Sequence, residues 1–221
     1  MIRKSIFAAL ALTAGMASAA PMQNLSFTSD AVDAYHYTLP QSQDGGVVVG
    51  FDFSFTGVLG NNDFLGLWFG NANNLTEAYK GPSFGVKTNC GNGSCTRDLF
   101  ARTIGTEGPF MPNSNIVQGV TYSLFAHLSK SAGSDYYDTI AMWLNPDDDE
   151  KRTLTGADLV ATGTSNLTSF DTIGFRVANI NGQNVTMTVN GLDVAAVPEP
   201  SSIALLGLAM AGLAFTRRKR A

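Results

Sequence analysis

The clearest periodicity in the chain is Val47-Val48-Val49-Gly50-Phe51-Asp52-Phe53-Ser54-Phe55. Val47, Val49, Phe51, Phe53 and Phe55 fall on one side, and Gly50, Asp52 and Ser54 on the other. Alternation with a period of two is the pattern of a half-buried strand. Comparable stretches predict strands over residues 34–39, 64–69, 83–87, 99–104, 122–129, 139–145, 173–177 and 185–194. Turn-forming residues punctuate them: Asp44-Gly45-Gly46, Gly60-Asn61-Asn62, Gly81-Pro82, Asn181-Gly182 and Asn190-Gly191. Residues 157–161 suit one helical turn, but nowhere before residue 200 does a long 3.6-residue repeat appear. The pattern predicts an all-β domain, a two-sheet antiparallel β-sandwich whose connections close off most exposed edges. Residues 20–196 suffice for one such domain with a substantial core, and no internal repeat or heptad divides them.

Two segments depart from this pattern. Residues 1–19 have a basic start (Arg3, Lys4), an apolar stretch over 6–12, and Ala17-Ser18-Ala19, an A-x-A cleavage pattern. This is the form of a secretory signal peptide, cut after Ala19 so that Ala20 rather than Pro21 begins the mature chain. At the other end, residues 203–215 (IALLGLAMAGLAF) carry no charge. As a transmembrane helix this run covers roughly 20 Å of a hydrocarbon core of roughly 30 Å. Even with Ser201, Ser202 and Thr216 counted, crossing requires bilayer thinning or snorkelling, which suits a transient span better than a permanent anchor. Arg217, Arg218, Lys219 and Arg220 hold that end in the cytoplasm, so the domain ahead of the span lies outside. Pro198 and Pro200 bracket Glu199 and keep the intervening stretch extended and exposed, as a processing enzyme requires.

The order Val197-Pro198-Glu199-Pro200, short apolar helix and basic tail resembles the PEP-CTERM sorting signal of Gram-negative bacteria, here over residues 197–221. The resemblance implies an exosortase as partner, a membrane cysteine transpeptidase that removes the helix and tail. It also implies transient residence in the inner membrane, then delivery to the cell envelope, the cell surface or an extracellular polysaccharide matrix. An ordinary tail anchor with a proline hinge is the alternative.

Charge narrows the partners of the domain itself. Residues 20–196 hold eight Lys or Arg against seventeen Asp or Glu, a net charge of −9. That balance opposes nucleic acid and anionic lipid as ligands, because both are bound through basic patches. Neutral polysaccharides, cations and basic proteins are compatible with it.

Phe64-Leu65-Gly66-Leu67-Trp68-Phe69, residues 140–146 (IAMWLNP) and residues 170–177 (FDTIGFRV) resemble the strands of concanavalin A-like, laminin-G-like jelly rolls. The resemblance implies that fold for the sandwich; a different β-sandwich is the alternative. Laminarinase-type enzymes of this fold carry two catalytic Glu in an E-x-D-x-x-E strand motif, which is absent here. Glu77, Glu107 and Glu150 are the only glutamates of residues 20–196 and fall in predicted loops, while Asp52 and Asp171 lie on strands without a partner at i+2 or i+4. His36 and His127 are the only histidines, and no nucleophile elbow accompanies them. His127 shares a strand face with Ser123, Phe125 and Ser129, which predicts a hydrogen-bonded structural role. The chain therefore reads as non-enzymatic, with a structural or adhesive role, and a carbohydrate-binding module is the alternative.

Further candidates follow from local chemistry. Cys90 and Cys95, the only cysteines, are expected to form a disulfide in an oxidising compartment, closing a tight turn. Asp147, Asp148, Asp149 and Glu150 form either a solvated acidic loop or a Ca²⁺ site, although their spacing is not that of an EF-hand. Trp68 and Trp143 sit among apolar neighbours and are expected in the core. Tyr35 and Tyr37 can stack on sugar rings, and Tyr136 and Tyr137, at a loop edge, are the better ligand candidates.

Overall fold

The computed structural model describes residues 24–91, 94–95, 98–180 and 183–197. The predicted signal peptide, the Pro198-Glu199-Pro200 part of the sorting motif, the apolar span and the basic tail lie outside the described residues. In chain order the strands are β1 (Leu25–Phe27), β2 (Ala31–Gln43), β3 (Val47–Val58), β4 (Phe64–Gly70), β5 (Ser83–Lys87), β6 (Cys90–Gly91) and β7 (Ser94–Cys95). There follow β8 (Leu99–Arg102), β9 (Tyr122–Ser129), β10 (Thr139–Leu144), β11 (Leu159–Thr162), β12 (Phe170–Ala178) and β13 (Gln183–Ala196). Two short helices interrupt them, α1 (Leu75–Ala78), preceded by a 3-10 turn, and α2 (Asp148–Thr153).

The strands form the expected two-sheet antiparallel sandwich. One sheet has six strands in the order β1-β13-β3-β9-β10-β11, the other five in the order β2-β12-β4-β5-β8, and β6 and β7 make a separate ribbon. The alternation in β3 sets the core: Val47, Val49, Phe51, Phe53 and Phe55 are all buried between the sheets. Phe51 crosses the interface to meet Phe175 edge-on at 5.2 Å and Phe84 at 5.5 Å. Such ring pairs add roughly 0.5–1.5 kcal/mol beyond the area they bury.

β4 is buried at all seven positions, because both of its faces are covered. Leu65, Leu67 and Phe69 belong to the inter-sheet core. Phe64 and Trp68 point the other way and lie flat on the outer surface of the sheet, over glycines. A Cβ on Gly66 would stand 2.6 Å from Phe64 Cζ, and one on Gly174 would stand 2.2 Å from Trp68 Cζ2.

Three expectations are corrected. Residues 157–161 do not form a helical turn; Leu159 and Ala161 alternate into the core as part of β11, paired with β10. The helix forms instead from the acidic run expected as a loop. Asp147 accepts from the Glu150 backbone N–H at 2.8 Å, the Glu150 carboxylate accepts from the Asp147 N–H at 2.9 Å, and Lys151 and Arg152 close the last turn. This capping box and the matching end charges make a helix of the run, which stays solvated as expected but is not a loop. Asn190-Gly191, expected to mark a turn, is a bulge inside β13, with Gly191 at φ 62° between the pairs Asn190–Asp52 and Asp193–Gly50.

Candidate functional sites

The sorting motif begins where the sheet ends. Ala196 is still in register with Val47, and the Val197 N–H donates to Gly46 O at 2.7 Å. The fold thus holds the chain up to the first residue of Val-Pro-Glu-Pro. Beneath this junction lies the ring of His127, close enough that a Cβ on Gly46 would be 3.0 Å from Nε2. His127 Nε2 is buried and has no hydrogen-bond partner, contrary to the hydrogen-bonded role expected for it. Burial lowers its pKa.

The tyrosine pair is split. Tyr136 is 42% exposed, whereas Tyr137 is fully buried, its hydroxyl donating to Gly45 O at 2.8 Å and its ring 5.5 Å from Phe170. Tyr137 is a core residue, and no two-ring platform exists at this edge. Tyr35 and Tyr37 are half-buried and pack against the core. Trp68 and Trp143 are buried as expected, although both point outward from their sheets; Trp143 Nε1 donates to Thr155 O at 2.9 Å, beneath the segment after α2.

The carboxylates are dispersed. Asp147 and Glu150 are engaged in the capping box and Asp149 pairs with Arg152 at 2.7 Å; among the described residues no three His, Cys, Asp or Glu gather as metal ligands. Of the three glutamates expected in loops, Glu107 is in one, while Glu77 lies in α1 and Glu150 in α2. Asp171 accepts from the Ala72 N–H at 2.8 Å, tying the segment that leads into α1 to β12. Cys90 and Cys95 are direct cross-strand partners in the β6–β7 ribbon. Opposed Cα atoms in antiparallel strands lie about 4.5–5.5 Å apart, within the range a disulfide spans. Their side chains lie outside the described residues.

The outer face of the six-stranded sheet carries a shallow cleft of about 240 Å³. Gly50 and Gly191 leave its floor bare, Phe125 forms a wall, and Asp52, Ser123, Asp193 and Lys151 supply polar groups. Both carboxylates are solvent-exposed. The arrangement offers donors and acceptors to a hydroxylated ligand alongside one aromatic ring.

The opposite outer face holds residues that sequence reasoning missed. Arg102 on β8 and Arg176 on β12 converge on one ring, with their Cζ atoms 5.1 and 5.4 Å from the centroid of Phe64. Their sole warning in the sequence was that each is a cation inside an apolar strand, LFAR and FDTIGFRVA. Asp98, just ahead of β8 and fully buried, was also missed. It accepts from the N–H groups of Asn89 and Ile116, and burial raises its pKa despite them.

Residues 196–220 match the PEP-CTERM protein-sorting motif. The motif marks an exosortase-sorted protein, exported across the inner membrane to the surface or exterior. A comparison with curated proteins gives no match. Among solved structures, the chain is similar to an alginate lyase Aly36B mutant in complex with alginate tetrasaccharide, at 9% identity and a TM-score of 0.49 over 79% of this chain and 80% of that one. It is also similar to the Emp47p carbohydrate recognition domain (10%, 0.48, 83% and 87%) and to a functionally unknown protein from Saccharomyces cerevisiae (10%, 0.46, 83% and 97%). Likenesses this distant do not bear on what the chain binds.

Proposed function

We propose that the sandwich is the cargo of the sorting motif: a non-enzymatic domain that an exosortase frees from its C-terminal span. It then stays at the cell surface or in extracellular polysaccharide, where it does structural or adhesive work. Its bounds are residues 20–196, between a signal peptide cut after Ala19 and a signal over residues 197–221. The observation that carries this reading is the junction at Val197. β13 pairs with β3 through Ala196 and the Val197 N–H still bonds Gly46 O, so the fold holds the chain up to the Pro-Glu-Pro stretch at which the signal would be cut.

Fractionation with C-terminal peptide mass spectrometry, in the native host with and without its exosortase, tests it. Glu199→Ala is expected to leave an unprocessed inner-membrane form, since the side chain to be recognised between the two prolines is gone while export is unchanged. Replacing Arg217, Arg218, Lys219 and Arg220 with Ser is expected to weaken retention during export. Wild-type protein that reaches the surface still carrying residues 203–215 refutes the reading. Release of reducing ends from polysaccharide by the purified chain refutes its non-enzymatic part.

A second reading, a carbohydrate-binding module, draws on the cleft at Gly50, which sets Phe125 beside Asp52, Ser123 and Lys151. A saturable signal for a neutral glycan on an array, lost in Phe125→Ala, would favour it over a purely structural role.

A further inference from the structure

The outer face of the five-stranded sheet concentrates positive charge in an acidic chain. Of the eight Lys and Arg in residues 20–196, Lys87, Arg102 and Arg176 lie on this face, each over an aromatic ring. Lys87 Nζ is 5.8 Å from the centroid of Phe110, Arg102 Cζ 4.6 Å from Phe100, and Arg176 Cζ 4.3 Å from Tyr79. Gly66 and Gly85, paired across β4 and β5, lie between the two arginines, and the rings of Phe64 and Phe100 cover Gly66.

None of the three cations is in a salt bridge among the described residues. Arg102 is 4% exposed and held by neutral acceptors, Nε to Ser83 Oγ at 2.8 Å and Nη1 to Thr106 O at 2.7 Å. Arg176 is half-buried, and its Nε is buried without a partner. Burial, with the like charge of Arg176 adding to it, pulls Arg102 down to about 10, against a weaker opposing pull from Glu107. Guanidinium groups withdrawn from water with only the weak pull of Glu107 to offset their charge cost a fold stability, which an anion placed against them restores.

The geometry points to this face as a binding site for an acidic polysaccharide, with a uronate carboxylate on Arg176 and the sugar ring against Tyr79. Arg102 and Lys87 supply the surrounding positive field. A planar guanidinium stacked on a ring presents its remaining N–H groups as a fork that matches a carboxylate. Tyr79 gives the pyranose an apolar surface with a polar edge. Three cations on a domain of net charge −9 are too few for a phosphate backbone, which is held by many Lys and Arg at once. This inference deepens the adhesive reading and rests on it only for where the ligand is met.

The test is affinity electrophoresis of the full chain in mild detergent, through gels containing polygalacturonate, dextran sulfate, dextran or DNA. Polygalacturonate is expected to retard the chain and dextran to leave it unaffected. Arg176→Gln is expected to weaken binding about tenfold, the loss of one charge-assisted hydrogen bond. Arg176→Lys, which keeps the charge and removes the fork, is expected to bind more weakly than wild type. Thermal unfolding of each variant checks its fold, and if Arg176→Gln does not fold, Lys87→Gln takes its place with the same expected direction. The inference is overturned if polygalacturonate does not retard the wild type, or if the folded variant binds as the wild type does. Equal binding of dextran sulfate or DNA overturns it too, by showing charge without recognition of the sugar. Mis-sorting of Glu199→Ala leaves this readout untouched, so the two readings fail separately.

Discussion

His127 is a half-buried titratable ring whose Nε2 is itself buried and unpartnered. Burial holds its pKa below the usual 6.5, so as pH falls the unfolded chain takes up a proton before the folded one does. The stability tied to a neutral His127 is therefore whole above about pH 6.5 and is lost as pH falls below it toward the lowered folded value. His127→Leu is expected to raise stability by about 1 kcal/mol at pH 8, by removing an unsatisfied polar atom. The gain should be larger at pH 5.5, and urea titrations at the two pH values measure it; an equal gain at both would contradict the buried, neutral ring. Gly174 makes a second case. A side chain there meets Trp68 at 2.2 Å and the Tyr35 carbonyl at 2.5 Å, so Gly174→Ala is expected to cost about 1–3 kcal/mol and to shift tryptophan fluorescence as Trp68 lifts. Single residues were unevenly legible in the sequence. Both tryptophans announced their burial through apolar neighbours, but Tyr136 and Tyr137 looked alike, because only the register of the following strand decides which ring turns inward. Arg102 and Arg176 stand far apart in the chain and come together through β4 and β5, a pairing that no local pattern encodes.

Elements were read best where alternation was strong. The expected bounds of the strands at 83–87 and 122–129 agree with β5 and β9, and the strand seen at 185–194 is the middle of β13. β1, with three residues, and β11, with four, are too short to show a period and are fixed by their pairing with β13 and β10. α2 was written in the sequence as Asp147 followed at N3 by Glu150, a capping box taken for a charged run. The β6–β7 ribbon yields a prediction at this scale. Cross-strand partners in an exported chain should be oxidised, so intact-mass analysis is expected to show Cys90 and Cys95 resistant to alkylation until reduced. Replacing both with Ser is expected to cost roughly 2 kcal/mol, the chain-entropy value for so short a loop. Two thiols alkylated without reduction would remove the bridge from the account.

For the whole molecule, the sandwich was legible because an all-β pattern with no long helix leaves few ways to bury so many alternating apolar faces. Strand order was not, since β13 pairs with the distant β3 and β1. That pairing makes the end of the domain a structural part of it. A chain ending at Val197 is expected to unfold at the same temperature as one that continues. A chain ending at Asn190 loses the buried side chains of Leu192 and Val194 and should be less stable by roughly 3–6 kcal/mol, much of what a domain has. Thermal melts of the two truncations measure the difference.

The place of β13 also sets a clock. A chain crossing a membrane from its N-terminus delivers β1, β3 and β9 first, and the six-stranded sheet cannot close over them until the strand that runs between β1 and β3 arrives. That strand is the last of the domain to emerge, and the sorting segment follows it. Closure of the six-stranded sheet is thereby expected late in passage, when β13 reaches β3 and Val197 reaches Gly46 on the far side.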